Sequence, residues 1–215
     1  MNRTSDPHAG GRLFTLGPPS DRAKAVVLAV HGRGATAESI LALAEPVGLT
    51  EVLWAAPAAE GNSWYPHSFL KKIELNEPWL TSGLNRIKAV LAGLEAEGLP
   101  RRKVMLLGFS QGACLALEFA ARNAGRYGAV VGLSGGLVGP PGTGRGYGGW
   151  FEDTPLFIGC SDTDPHIPLA RLRETEEVFQ RLGAEVSLQL YPGSSHGVNA
   201  DELERIRILL KSLTG

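Results

Sequence analysis

Ser110 stands in Gly108-Phe109-Ser110-Gln111-Gly112, a spacing with which a sharp turn can lift a serine hydroxyl clear for attack on an acyl carbon. The same G-x-S-x-G spacing recurs at Gly132-Leu133-Ser134-Gly135-Gly136 and at Gly193-Ser194-Ser195-His196-Gly197. With 28 Gly in 215 residues such recurrence carries little meaning by itself, so the flanking elements must discriminate. A nucleophile turn needs a buried strand running in and a helix running out, whose N-terminus sets free N–H groups beside the hydroxyl. Only Ser110 has both. Lys103 to Leu107 reads as a buried strand, and Ala113 to Ala121 as a run of good helix formers. Ser134 is followed by a Gly- and Pro-rich stretch in which no helix can start. Ser195 has no acid followed by a histidine after it, since His196 is the last histidine of the chain.

A serine hydroxyl needs a base to take its proton and a third group to orient that base. His166 and His196 are the histidines downstream of Ser110. His196 lies in a small-residue loop leaving the last strand, which makes it the expected base. His166 sits beside Asp164 and Pro168 and reads as a neighbour of the acid. Asp162 and Asp164 compete for the orienting role, the other being expected to cap a turn or helix. Two N–H donors are also needed for the developing oxyanion, and the amides of Gln111 and Arg33 are the candidates. His31 is expected to pin the loop that carries Arg33.

These residues require elements that bring them to one edge. Continuous apolar strands alternate with helices, which predicts a mostly parallel sheet covered on both faces. Strands are expected at 25–30, 51–56, 103–107, 129–133, 155–159 and 184–191, with an antiparallel edge strand at 12–16. Helices are expected at 39–45, 79–97, 113–121, 169–182 and 202–213. Leu80, Leu84, Ile87, Leu91 and Leu94 share one face of the second of these. Two long irregular segments, 57–78 and 135–152, leave carboxyl ends of strands, where parallel sheets bind ligands. Their aromatics, Trp64, Tyr65 and Phe69 in the first and Tyr147 and Trp150 in the second, are expected to wall an apolar acyl pocket. The glycine-rich part of the second reads as a flexible loop.

Composition bounds the rest. The length and 43% apolar content predict one domain over 1–215, with 1–11 as a flexible N-terminal segment. The net charge of −1 offers no attraction for nucleic acid or an anionic membrane. No apolar run approaches a membrane span, and the polar start lacks a signal-peptide core. Cys114 and Cys160 read as reduced thiols of a cytoplasmic protein, at no metal-ligand spacing. Gly32-x-Gly34-x-x-Ala37 after a strand matches the dinucleotide fingerprint, but the next strand ends Trp54-Ala55-Ala56-Pro57 without the acid that a ribose needs. Neither a cofactor nor a metal is therefore expected. A homodimer is compatible with the sequence.

Four segments together resemble the phospholipase/carboxylesterase family of α/β-hydrolases, which includes acyl-protein thioesterases and small bacterial carboxylesterases. They are His31-Gly32-Arg33-Gly34, Gly108-Phe109-Ser110-Gln111-Gly112, Ser161 to Pro168, and Tyr191 to His196. The resemblance runs from Ala25 onward and implies an α/β-hydrolase fold without a large lid domain. It selects Asp164 over Asp162 as the acid and places Ile167 at the acyl site. Where the thioesterase branch usually has Leu and Asp, Arg33 and Ala35 stand here, and Asn62 to Pro66 replaces that branch's Trp-Phe-Asp. The pattern is thus more similar to the bacterial carboxylesterases. The expected activity is hydrolysis of short- to medium-chain, small-molecule acyl esters by Ser110, His196 and Asp164. Acyl thioesterase or lysophospholipase activity is the neighbouring alternative, and a non-catalytic binding protein of the same fold is the alternative from another class.

Overall fold

The structure is a computed structural model, and residues 6–215 are described. Seven strands form one sheet in the order β1-β3-β2-β4-β5-β6-β7. They are β1 (Leu13–Leu16), β2 (Ala25–Val30), β3 (Val52–Pro57), β4 (Val104–Phe109), β5 (Ala129–Leu133), β6 (Pro155–Ser161) and β7 (Glu185–Tyr191). All neighbours run parallel except β1, which pairs antiparallel with β3 at the edge. The order reverses at β2: the chain moves outward to β3, then returns to the other side as β4. Such a reversal opens a crevice at the carboxyl ends of β2 and β4.

Alternation along each strand builds two cores. Val26, Leu28 and Val30 of β2 face α3 (Trp79–Ala96), α4 (Gln111–Arg122) and α5 (Leu169–Arg181). Ala25, Val27 and Ala29 face α1 (Ala37–Leu41), α2 (Ala44–Val47) and α6 (Ala200–Thr214). Both faces of β2 and β4 are thus covered, which is why these strands read as unbroken apolar runs. The expected apolar face of α3 is buried throughout, from Leu80 to Leu94.

Three expectations are corrected. The single helix at 39–45 is instead two short helices, α1 and α2. Pro46 lacks the N–H that would have continued one helix through this point, and it is tolerated in the first turn of α2. Of the segment 1–11 expected to be flexible, residues 1–5 lie outside the described residues, and residues 6–11 pack against the body of the domain. His8 is fully buried; its Nε2 hydrogen bonds the Trp64 carbonyl at 3.0 Å, and its ring meets Trp79 edge-on. Asp6 accepts from the Ser82 hydroxyl, and Arg86 donates to the Gly11 carbonyl. The 135–152 segment is fastened rather than loose. Arg145 donates to the Val138 carbonyl and pairs with Glu174, while Tyr147 donates to the buried carboxylate of Glu118. No helix among the described residues is long and apolar enough to cross a membrane.

Candidate active site

β4 delivers Ser110 to the crevice in a backbone conformation, φ 54° and ψ −120°, that a non-glycine residue seldom adopts. The glycines on either side make this possible by close approach. A Cβ on Gly108 would lie 2.3 Å from the Gly112 carbonyl oxygen, and one on Gly112 would lie 2.1 Å from that of Val30. The turn is therefore pressed against the end of β2, and α4 begins at once with Gln111. Ser134 shares a positive φ but is buried and heads no helix, and Ser195 is exposed in an irregular loop.

The three side chains expected to cooperate meet. His196 Nε2 lies 2.8 Å from Ser110 Oγ, and its Nδ1 lies 2.7 Å from Asp164 Oδ2. Asp164 also accepts the His166 and Ile167 amides at Oδ1, at 2.8 and 3.1 Å, and its side chain is fully buried. Burial pushes its carboxyl up, but the bonds from His196 and the two amides outweigh that and hold it below the ordinary aspartate range. Asp162 takes the other expected part: its carboxylate accepts the Gly193 amide at 3.0 Å and ties the loop carrying His196 to β6. His166 packs edge-on against the His196 ring, 4.8 Å between centroids, and Phe109 lies against that ring from another side. A serine so placed can lose its proton to the imidazole while the carboxylate keeps the ring in one tautomer.

Both residues whose amides are expected to hold the oxyanion line the cleft that contains Ser110. Gln111 is the first residue of α4, so its N–H has no intrahelical acceptor. The Arg33 N–H has no backbone acceptor among the described residues, and the site where Gly32 would carry a Cβ is 3.4 Å from Ser110 Cβ. His31 pins this loop as a neutral ring. Its Nε2 accepts the Ala59 amide at 3.2 Å, which leaves Nδ1–H to donate to the Gly32 carbonyl at 2.8 Å. Burial lowers its pKa and favours that form.

A cleft of about 470 Å³ opens at Ser110, lined among others by Tyr65, Phe69, Cys114 and Ile167. Trp64 does not reach it. That ring is fully buried below the wall, where its Nε1 donates to the His31 carbonyl at 2.9 Å. Tyr147 and Trp150 are absent from the wall as well: the first is held by Glu118, and the second covers Gly183. Two supporting side-chain roles, those of Gln111 and Asn76, escaped the sequence reading. The side-chain amide of Gln111 accepts from Trp64 N–H and donates to the Tyr65 carbonyl, tying segment 57–78 to the start of α4. Asn76, fully buried, accepts the His67 amide and donates to the Ser68 carbonyl. An amide side chain carries no local pattern that announces which backbone groups it will meet.

Fold and site together define an α/β-hydrolase. The description Phospholipase/Carboxylesterase matches residues 14–214, and the chain belongs to that family of hydrolases. A phospholipase/carboxylesterase structure from Dyadobacter fermentans DSM 18053 superposes with a TM-score of 0.89 at 39% identity, covering 96% of this chain and 97% of that one. The Bacillus cereus carboxylesterase shares the fold, with a TM-score of 0.74 at 20% identity and 97% of each chain covered. Acyl-protein thioesterase 1 of Saccharomyces cerevisiae is 29% identical over 133 residues, 60% of this chain and 58% of that protein. The counterpart from Debaryomyces hansenii is 31% identical over 111 residues, 51% of this chain and 48% of that protein. The chain thus matches about half of the length of these curated relatives.

Proposed function

We propose that the protein is a serine carboxylesterase acting on short- to medium-chain acyl esters. The observation that carries the reading is the unbroken line of hydrogen bonds from Ser110 Oγ through His196 to Asp164. Ser110 Oγ attacks the acyl carbonyl as its proton passes to His196 Nε2. The Arg33 and Gln111 amides hold the negative oxygen of the tetrahedral intermediate. Collapse breaks the ester bond, and His196 returns the proton to the departing alcohol. Water, deprotonated by the same imidazole, then releases the acid from Ser110. Tyr65, Phe69 and Ile167 supply the acyl wall in a cleft of ordinary ligand-site size, which suits a short chain better than a long one. Two buried, unpaired thiols agree with a reducing compartment such as the cytoplasm.

Ser110→Ala should lower turnover of 4-nitrophenyl butyrate by roughly 10⁶-fold, the scale seen when another serine hydrolase loses its nucleophile. Activity near that of the wild type in the variant would remove Ser110 from the mechanism. A second reading, acyl-thioester hydrolysis, draws on the yeast relatives. Turnover of a palmitoyl thioester exceeding that of the butyrate ester would favour it.

A further inference from the structure

Among the described residues, the cleft carries one fixed cation and no carboxylate in its lining. Of the residues lining it, Arg33 is permanently charged, and none is an aspartate or glutamate. Asp164, behind the wall, is buried and bonded to His196 and two amides. Arg33 itself is held in place. Its Nη1 donates to the Pro66 carbonyl at 2.9 Å and the Ser63 hydroxyl at 3.3 Å, and its Nη2 donates to the His67 carbonyl at 2.8 Å. The guanidinium carbon stands 5.9 Å from the centre of the Tyr65 ring, on the wall of the cleft. These contacts use three of five N–H donors, and the Nε–H and one Nη2–H remain. A flexible exposed arginine pays entropy to grip a ligand, whereas this one has already been ordered by the backbone it spans.

From this asymmetry we propose that Arg33 selects esters that carry a carboxylate within reach of the reacting carbonyl. The inference rests on the esterase reading above and adds a substrate class to it. The carboxylate can belong to the acyl half, as in a dicarboxylic half-ester, or to the alcohol half, as in an ester of a hydroxy acid. The free Nε–H and Nη2–H can donate side by side to a carboxylate on either half of the ester.

Three substrates separate the cases: 4-nitrophenyl butyrate, mono-4-nitrophenyl glutarate and 3-carboxy-4-nitrophenyl butyrate, each corrected for spontaneous hydrolysis. The quantity to follow is kcat/KM for each acidic ester divided by that for the neutral one, because a general loss of activity leaves this ratio unchanged. Arg33→Leu should lower the ratio about tenfold for one of the acidic esters, and that ester identifies the half that bears the carboxylate. Arg33→Lys should recover part of the loss. In the wild type the ratio should fall as salt rises from 0.01 to about 0.5 M, since the site is open to solvent. If both ratios are the same in wild type and Arg33→Leu, the selection is wrong even though the esterase stands. If none of the three esters is hydrolysed by the wild type, the esterase reading itself fails.

Discussion

Ser110 holds a backbone conformation that costs on the order of 1–3 kcal/mol, and it is maintained because the glycines around it leave no relaxed alternative against β2. The strain aims Oγ at His196 while the Gln111 amide stays at the helix start. Asp164 has a narrower task, and its four partners let it do nothing else: His196, two amides and, at 3.7 Å, the Cys160 thiol. Asp164→Asn keeps the shape but can orient the ring in the wrong tautomer, so ester turnover should fall about 10⁴-fold with the fold intact. Circular dichroism and steady-state kinetics on the same sample test this, and a loss under tenfold would contradict the orienting role. Burial pushes both thiols up to about 12, so neither offers a thiolate near Ser110 at neutral pH.

The elements around the site meet through contacts with no room to spare. α4 rests on the end of β2 through Gly112, and Gly112→Ala should cost on the order of 3 kcal/mol while displacing Ser110. Urea melts of this variant that match the wild type would refute so close a contact. On the other face, α6 starts with a capping box in which Asn199 accepts the Glu202 amide and Glu202 accepts the Asn199 amide. The Glu202 carboxyl presses on β6, where a Cβ on Gly159 would lie 2.3 Å from its Oε1. Burial raises this carboxyl from 4.5 to about 7, against the pull of the Asn199 amide. A folded-state value above the unfolded one means stability that is complete below about 4.5 and is lost as pH climbs through 7. The loss is on the order of 3 kcal/mol. Glu202→Gln should therefore flatten the fall in stability between pH 5 and pH 8 seen in the wild type. Parallel profiles for the two proteins would show that Glu202 is charged throughout. Asp164, held below its ordinary value, acts with the opposite sign, and its contribution disappears only as pH drops below about 3.8.

Considered entire, the molecule backs its cleft with distant parts of the chain. Segment 57–78 forms one wall and is tied to α4 by Gln111, to the end of β2 by His31 and Arg33, and to the N-terminal segment by His8. Removing residues 1–11 should uncover Trp64 and Trp79, shift tryptophan emission to the red and lower the melting temperature. The expected loss in kcat/KM is larger than that in helix content, because the wall moves while the sheet remains. Unchanged emission after truncation would mean that the N-terminal residues do not brace the wall.

Local chemistry was written openly in the chain. Apolar strands between helices announce a parallel sheet, and glycines bracketing Ser110 between a strand and a helix announce the turn, since both depend on neighbours within a few residues. The loops of Arg33 and His196 were legible for the same reason. Other features follow from contacts between residues far apart in sequence. β4 lies beside β2 rather than β3, and that order alone brings the Arg33 loop to Ser110. The part played by Asp162, open to the unaided sequence, is settled by which carboxylate the chain's last loop folds against. Trp64 and Tyr65 are adjacent and equally aromatic, yet one lines the cleft and the other lies under it. The side on which a loop side chain falls depends on the partners waiting there, here the His31 carbonyl and the His8 ring, and no spacing within the loop encodes them.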